Sequence, residues 1–246
     1  MDKAEIKDNS LKEELFDYLK NNDKKKIDDN QIYKEELKLI NRLDLKNKNI
    51  QSIEGLQYCT NLRSINLANN NIKDIGSLKD LKKLKFINLS KNEITDIKAI
   101  RDLDMLEYLN LSHNRIKNLD DIGNLHRIKK LNIENNLVED ISKLSNLTNV
   151  SYLYLTNNNI KDFKALENLE NLSELKVQGN PDINTNILNQ LLLNRYEDNK
   201  NRNPFSRNKL LIDMDLDCDG VIDRYDADPR DSRIQTYSQL ERDEER

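Results

Sequence analysis

Residues 84–105 read LKFINLSKNEITDIKAIRDLDM, and residues 106–127, LEYLNLSHNRIKNLDDIGNLHR, repeat their frame. In the first block Leu84 is followed by Ile87, Leu89, Asn92, Ile94, Ile97, Ile100 and Leu103. In the second, Leu106 is followed by Leu109, Leu111, Asn114 and Ile116 at the same offsets. Outward in both directions, Leu62, Leu84, Leu106, Ile128, Val150 and Leu172 stand 22 residues apart without slippage. Ile40 opens an earlier copy, with Lys48 where the other copies carry Asn. The last copy runs through Leu175, Val177 and Asn180, and Pro181-Asp182 breaks the pattern. Seven units thus span residues 40–183.

Within a unit the apolar spacing changes. Ile87 and Leu89 are two apart, which places them on one face of a strand. Ile94, Ile97, Ile100 and Leu103 are three apart, the period of a 3₁₀ helix. Each unit is therefore expected to be a short strand, a loop and a tight return. Stacking sets the strands in a parallel sheet about 4.8 Å apart, and the bulkier returns put that sheet on the concave side. Asn70, Asn92, Asn114, Asn136, Asn158 and Asn180 hold one position in each unit. An amide both donates and accepts, so a buried one can satisfy backbone groups of its own loop and of the next. Each such group left unpaired would cost about 1–3 kcal/mol.

A fixed period of this length marks a solenoid, and the frame is that of the leucine-rich repeat. The expected fold is an α/β solenoid: a leucine-rich repeat horseshoe with a concave parallel sheet, a 3₁₀-rich convex side and a helical cap at each end. The composition agrees. The 246 residues are 36% hydrophobic and 34% charged, polar for a globule but suited to a thin stack that exposes much of every repeat. Terminal units must cover the apolar ends of such a stack. Residues 1–39 serve the N-terminal end: Ser10-Leu11-Lys12-Glu13 reads as a capping box, and Leu11, Leu15, Phe16 and Leu19 share a helical face. At the other end, residues 184–209 hold a helix with Ile187, Leu188, Leu191 and Leu192 on one side, then a polar linker around Pro204.

The run Ile6 to Leu15, followed by Ile40-x-x-Leu43-x-Leu45 and Ile53-Glu54-Gly55-Leu56-Gln57-Tyr58-Cys59-Thr60-Asn61-Leu62, resembles the helical cap and first repeats of bacterial internalin-like proteins. The 22-residue frame is also similar to the eukaryotic regulatory subunit of protein phosphatase 1 of this repeat class. The cap favours the bacterial group. The resemblance implies a concave face that binds another protein, with a phosphatase-regulatory type of intracellular scaffold as the lesser alternative.

The frame gives the outward-facing strand positions in three columns. The first reads Arg42, Ser64, Phe86, Tyr108, Lys130, Tyr152, Glu174; the second Asp44, Asn66, Asn88, Asn110, Asn132, Tyr154, Lys176. The third reads Lys46, Ala68, Ser90, Ser112, Glu134, Thr156, Gln178. Nothing in the repeat requires aromatics there. Exposed aromatics that cluster mark an interaction surface, so the expected partner-binding residues are Phe86, Tyr108, Lys130, Tyr152 and Tyr154, with His113 at the rim. The sequons Asn88-Leu89-Ser90 and Asn110-Leu111-Ser112 arise from the frame itself.

A second signal lies in the tail. Asp215-Leu216-Asp217-Cys218-Asp219-Gly220-Val221-Ile222-Asp223-Arg224-Tyr225-Asp226 follows the twelve-residue frame of an EF-hand loop. Carboxylates fall at positions 1, 3, 5, 9 and 12, with Gly220 at the sharp turn and the Val221 carbonyl as a further oxygen. The stretch resembles bacterial calcium repeats of the dockerin and thrombospondin type 3 kind. The expected Ca²⁺ ligands are Asp215, Asp217, Asp219, Val221, Asp223 and Asp226, within a calcium unit over 210–231, followed by a charged tail over 232–246. A calcium-dependent surface spacer with no concave ligand is the alternative this loop supports.

Other classes find no footing. A net charge of −4 does not point to nucleic acid or a membrane surface, and no apolar run approaches a membrane span. There is no phosphate-cradling glycine loop, zinc helix or nucleophile elbow. His113 and His126 stand in different parts of one repeat and do not converge. A non-catalytic monomer is expected. Two cysteines make no disulfide framework; Cys59 falls on a core position. The opening Met1-Asp2-Lys3-Ala4 lacks the apolar core of a signal peptide, so either none is made or a mature chain begins here. The calcium loop leans the expectation toward a secreted or cell-surface protein.

Overall fold

The computed structural model describes residues 2–22, 31–181 and 211–212. One parallel sheet runs through it in chain order: β1 (Arg42–Asp44), β2 (Ser64–Asn66), β3 (Phe86–Asn88), β4 (Tyr108–Asn110), β5 (Lys130–Asn132), β6 (Tyr152–Tyr154), β7 (Glu174–Lys176) and β8 (Leu211–Ile212). Strand-to-strand register steps by 22 residues from β1 to β7, as in Ile87↔Leu109↔Leu131. Strand β8 continues the edge through Glu174↔Leu211 and Leu175↔Ile212. The expected C-terminal helix at 184–209 and the calcium loop lie outside the described residues.

The apolar frame fills the space between the sheet and the returns. Leu84, Ile87, Leu89, Ile94, Ile100 and Leu103 are each fully buried, and so are their counterparts in the next unit. The returns are 3₁₀ segments at Leu56–Tyr58, Gly76–Leu78, Lys98–Ile100, Asp120–Ile122, Ser142–Asn146 and Lys164–Asn168. Most have a carboxylate holding their first turn: Asp74, Asp96, Asp140 and Asp162 each accept from the N–H two residues on, at 2.7–2.8 Å. Such local bonds favour turn entry. Burial pushes the Cys59 thiol up to about 12, so it is an inert core group.

The Asn column behaves as its chemistry requires. Asn114 Nδ2 donates to the carbonyls of Leu89 and Leu111, at 3.0 and 2.9 Å, and its Oδ1 accepts from Ile94 N–H at 3.0 Å. One side chain thus ties its own loop to the preceding unit. Lys48, the exception in the column, sends its ammonium to Glu14 of the cap at 2.7 Å.

The N-terminal cap is α1 (Asn9–Asn22), which buries Leu11, Leu15 and Leu19, and a short α2 (Lys34–Leu37). The capping-box expectation at Ser10 is corrected: Asp8 is the N-cap, accepting from Leu11 N–H at 3.0 Å. Its other oxygen accepts from Gln51 and Ser52 N–H at 2.7 and 3.0 Å. A carboxylate offers oxygens to two directions at once, which the Ser10 hydroxyl does not. Residues ahead of α1 add an extended flap, with Ala4 N–H donating to Ile32 and Lys34 N–H donating to Asp2. Gly55 (φ 116°) sits beneath it: a Cβ there would stand 2.7 Å from Ile6 Cγ1.

Candidate functional site

The strand register builds the outer face of the sheet. Phe86, Tyr108, Lys130 and Tyr152 are paired partners on four consecutive strands, so they form one continuous column. Phe86 and Tyr152 are 47% and 43% exposed, among the most exposed large apolar side chains described. Phe86 and Tyr108 pack ring against ring, with centroids 6.4 Å apart and planes tilted 34°, within the range of favourable aromatic pairs.

Toward the C-terminal end, cations join the rings. The Lys130 ammonium lies 5.5 Å from the Tyr152 ring and 4.9 Å from Tyr154, and Lys176 lies 5.1 Å from Tyr154 on the next strand. Tyr154 thus sits within cation–π reach of two lysines. Its phenol is pushed up to about 12, first by burial and then by the carboxylate of Glu174, to which it is hydrogen-bonded. It stays a protonated donor throughout the physiological range.

Two expectations about this face need correction. Ala68, Ser90 and Ser112 of the third column are buried. They are small and lie where each strand closes into its loop, and each gives its N–H to the Asn side chain two residues before it. Those Asn residues, expected only as outward-facing positions, form a further structural row: Asn66, Asn88, Asn110 and Asn132 each accept from the N–H two residues on, at 2.9–3.2 Å. A polar residue repeated in every unit was the available signal.

His113 stands apart from the aromatic column. It has φ 55°, in line with Asn47, Asn69, Lys91, Asn135 and Asn157 at φ 53–60°. Its Nε2 lies 3.3 Å from Asn135 Nδ2, in a rim row of side-chain contacts that includes Asn69 to Asn47 and Asn157 to Asn135. Asn tolerates this left-handed backbone best among non-glycine residues.

An open groove of about 1000 Å³ crosses the first strands and the sheet edge, with Phe86 and Tyr108 among its lining residues. Among the described residues no group of three or more His, Cys, Asp or Glu is placed to hold a metal. No described helix is long and apolar enough to cross a membrane.

Comparison with known families matches residues 60–116 to the leucine rich repeat and residues 104–146 to two copies of leucine rich repeats. The solenoid is a leucine-rich repeat array. Among solved structures the array is similar to an internalin, inlF, of Listeria monocytogenes: 34% identity, TM-score 0.65, over 70% of this chain and 50% of that one. It is similar to internalin C2 of the same organism at 27% identity and TM-score 0.54, over 72% of this chain and 87% of that one. A leucine-rich repeat protein of Leptospira interrogans matches at 25% identity and TM-score 0.60, over 72% of this chain and 44% of that one. This chain therefore spans half the length of the inlF structure. No curated protein matches the chain in a direct sequence search.

Proposed function

We propose that the chain is a non-catalytic recognition module that takes a protein partner on the concave sheet face of its leucine-rich repeat array. The observation that carries this is the aromatic column. Phe86 and Tyr108 are paired on neighbouring strands, and Tyr152 continues the same column beyond Lys130, with Tyr154 beside it, on a face where the repeat demands no aromatic. Rigid aromatics carry much contact area at low entropic cost, and they dominate binding hot spots. The likeness to internalins supports the same reading.

Affinity capture with the intact chain, compared with a Tyr152→Ala/Tyr154→Ala variant, identifies the partner by what the variant loses. Binding of that partner should weaken by about 2 kcal/mol or more, the usual hot-spot threshold. The melting temperature should change little, because neither ring belongs to the core. Unchanged affinity removes these residues from the site.

The tail adds a structural calcium site to this proposal. Asp215, Asp217, Asp219, Asp223 and Asp226, with the Val221 carbonyl, supply hard oxygens in the order that Ca²⁺ prefers. The ion would order the tail and leave recognition to the sheet face.

A further inference from the structure

The groove at the N-terminal end of the sheet differs in kind from the tyrosine–lysine cluster at the other end. Phe86 and Leu39, 47% and 65% exposed, line it with apolar surface. Lys38, Arg42, Arg63, Lys83 and Lys85 line it with positive charge, and no carboxylate is among its described lining residues. Two of these five cations have an ion pair among the described residues, Lys38 with Glu35 at 2.6 Å and Lys85 with Glu107 at 3.4 Å; Arg42, Arg63 and Lys83 have none. Lys83 donates to the neutral amide of Asn61. Asp44, two residues from Arg42, is turned instead to Asn66 Nδ2 and Lys46 N–H.

One unit further along, the same edge column is neutralised. Glu107 stands between Lys85 and Lys129 and bonds both, at 3.4 and 3.0 Å. At Arg63, one unit before Lys85 in that column, no such carboxylate intervenes. Like charges stacked on neighbouring units repel, and a water-exposed apolar side chain beside them gains nothing in the free chain. Both costs are relieved by a ligand that brings negative charge and an apolar group together.

We propose that this groove docks an acidic segment of a protein partner, with an aliphatic or aromatic side chain of the segment seated between Leu39 and Phe86 and its carboxylates on Arg42, Arg63 and Lys83. This rests on the reading of the concave face as a protein-binding surface, and it adds a place and a partner chemistry. A long polyanion such as nucleic acid fits less well, since the chain as a whole carries a net charge of −4 and repels it beyond the groove.

The test uses a displayed random-peptide library selected on the full chain. Selected peptides should be rich in Asp and Glu around a hydrophobic residue. They should bind Arg63→Glu/Lys83→Glu and Phe86→Ala about tenfold or more weakly than wild type, as truncation at a charged, apolar contact does. Added salt should weaken them further. Arg63 and Lys83 are exposed, so the charge-reversed variant should keep the wild-type melting temperature, while Phe86→Ala, which also loses its ring contact with Tyr108, should melt only slightly lower. Failure to select any peptide, peptides without acidic bias, or equal binding to the charge-reversed variant would each overturn the proposal. So would a single-stranded DNA oligonucleotide that displaces the peptides at equal concentration. The Tyr152→Ala/Tyr154→Ala variant separates the two ideas. Acidic peptides that it alone loses place docking at the far cluster, which sinks the groove and spares the concave-face reading. Acidic peptides that it retains support the groove, whatever becomes of those tyrosines.

Discussion

Asn114 shows how much one repeated side chain does. It donates to carbonyls in two successive units and accepts an N–H from the preceding loop, all away from water. Asn110, four residues earlier on the outer face, accepts one N–H from Ser112 at 3.0 Å. Solvent can replace that partner but not those of Asn114. Asn114→Ala should therefore cost about 1–3 kcal/mol, and Asn110→Ala at most about 1 kcal/mol. Denaturant melts of the two variants check the ordering; equal losses would contradict the inward and outward assignment. The inward column was legible because every unit repeats it. The structural part of Asn110 was not, because a side chain that faces outward and also bonds its own turn has the same spacing as one that only faces outward.

At the scale of the element, one carboxylate both starts the cap helix and bonds it to the first repeat. Asp8 starts α1 through Leu11 N–H and reaches the first repeat through Gln51 and Ser52 N–H. Burial alone would raise its pKa; the hydrogen bonds from Ser52, Leu11, Gln51 and Ser10 outweigh it and hold the group below its ordinary value. A depressed carboxylate contributes stability that is complete above its unfolded pKa and is lost as pH falls through the folded one. Asp8→Asn keeps the shape but not the charge, and its amide cannot accept at both oxygens. It should lower stability by about 1–2 kcal/mol at neutral pH, as loss of charged hydrogen bonds does. The gap to wild type should then narrow below about pH 4, near the unfolded carboxyl value. Thermal melts across that range test the sign; a gap that widens in acid would show that Asp8 is not the group that titrates.

At the scale of the molecule, each unit touches mainly its neighbours, so stability is close to a sum of unit and interface contributions. A tail attached after β8 should then act independently of the stack. With one loop and a short twelfth ligand, the Asp215–Asp226 segment should bind Ca²⁺ weakly, roughly 10⁻⁴–10⁻³ M, in the range of extracellular modules. Calorimetry should show calcium binding in wild type and its loss in Asp219→Ala, while the solenoid melts at nearly the same temperature with or without the ion. Absence of heat at millimolar calcium would reduce the loop to an acidic linker. Submicromolar binding would point to a sensor working inside a cell.

The sequence by itself determined the stack. A 22-residue period with apolar spacings of two and then three admits one way to bury every unit, and the register of β1 to β7 follows from it. It also determined which rings would share a face, since strand parity alone sends Phe86, Tyr108 and Tyr152 to one side. What those rings meet was left to the tertiary structure. Lys130 and Lys176 come over Tyr154, Arg63 and Lys83 line one groove with Leu39 and Phe86, and Asp8 crosses more than forty residues to Ser52. Period fixes backbone position within a unit. The reach of a long side chain into the next unit, or of a cap onto the first, depends on the distances between stacked layers, and only the folded chain sets those.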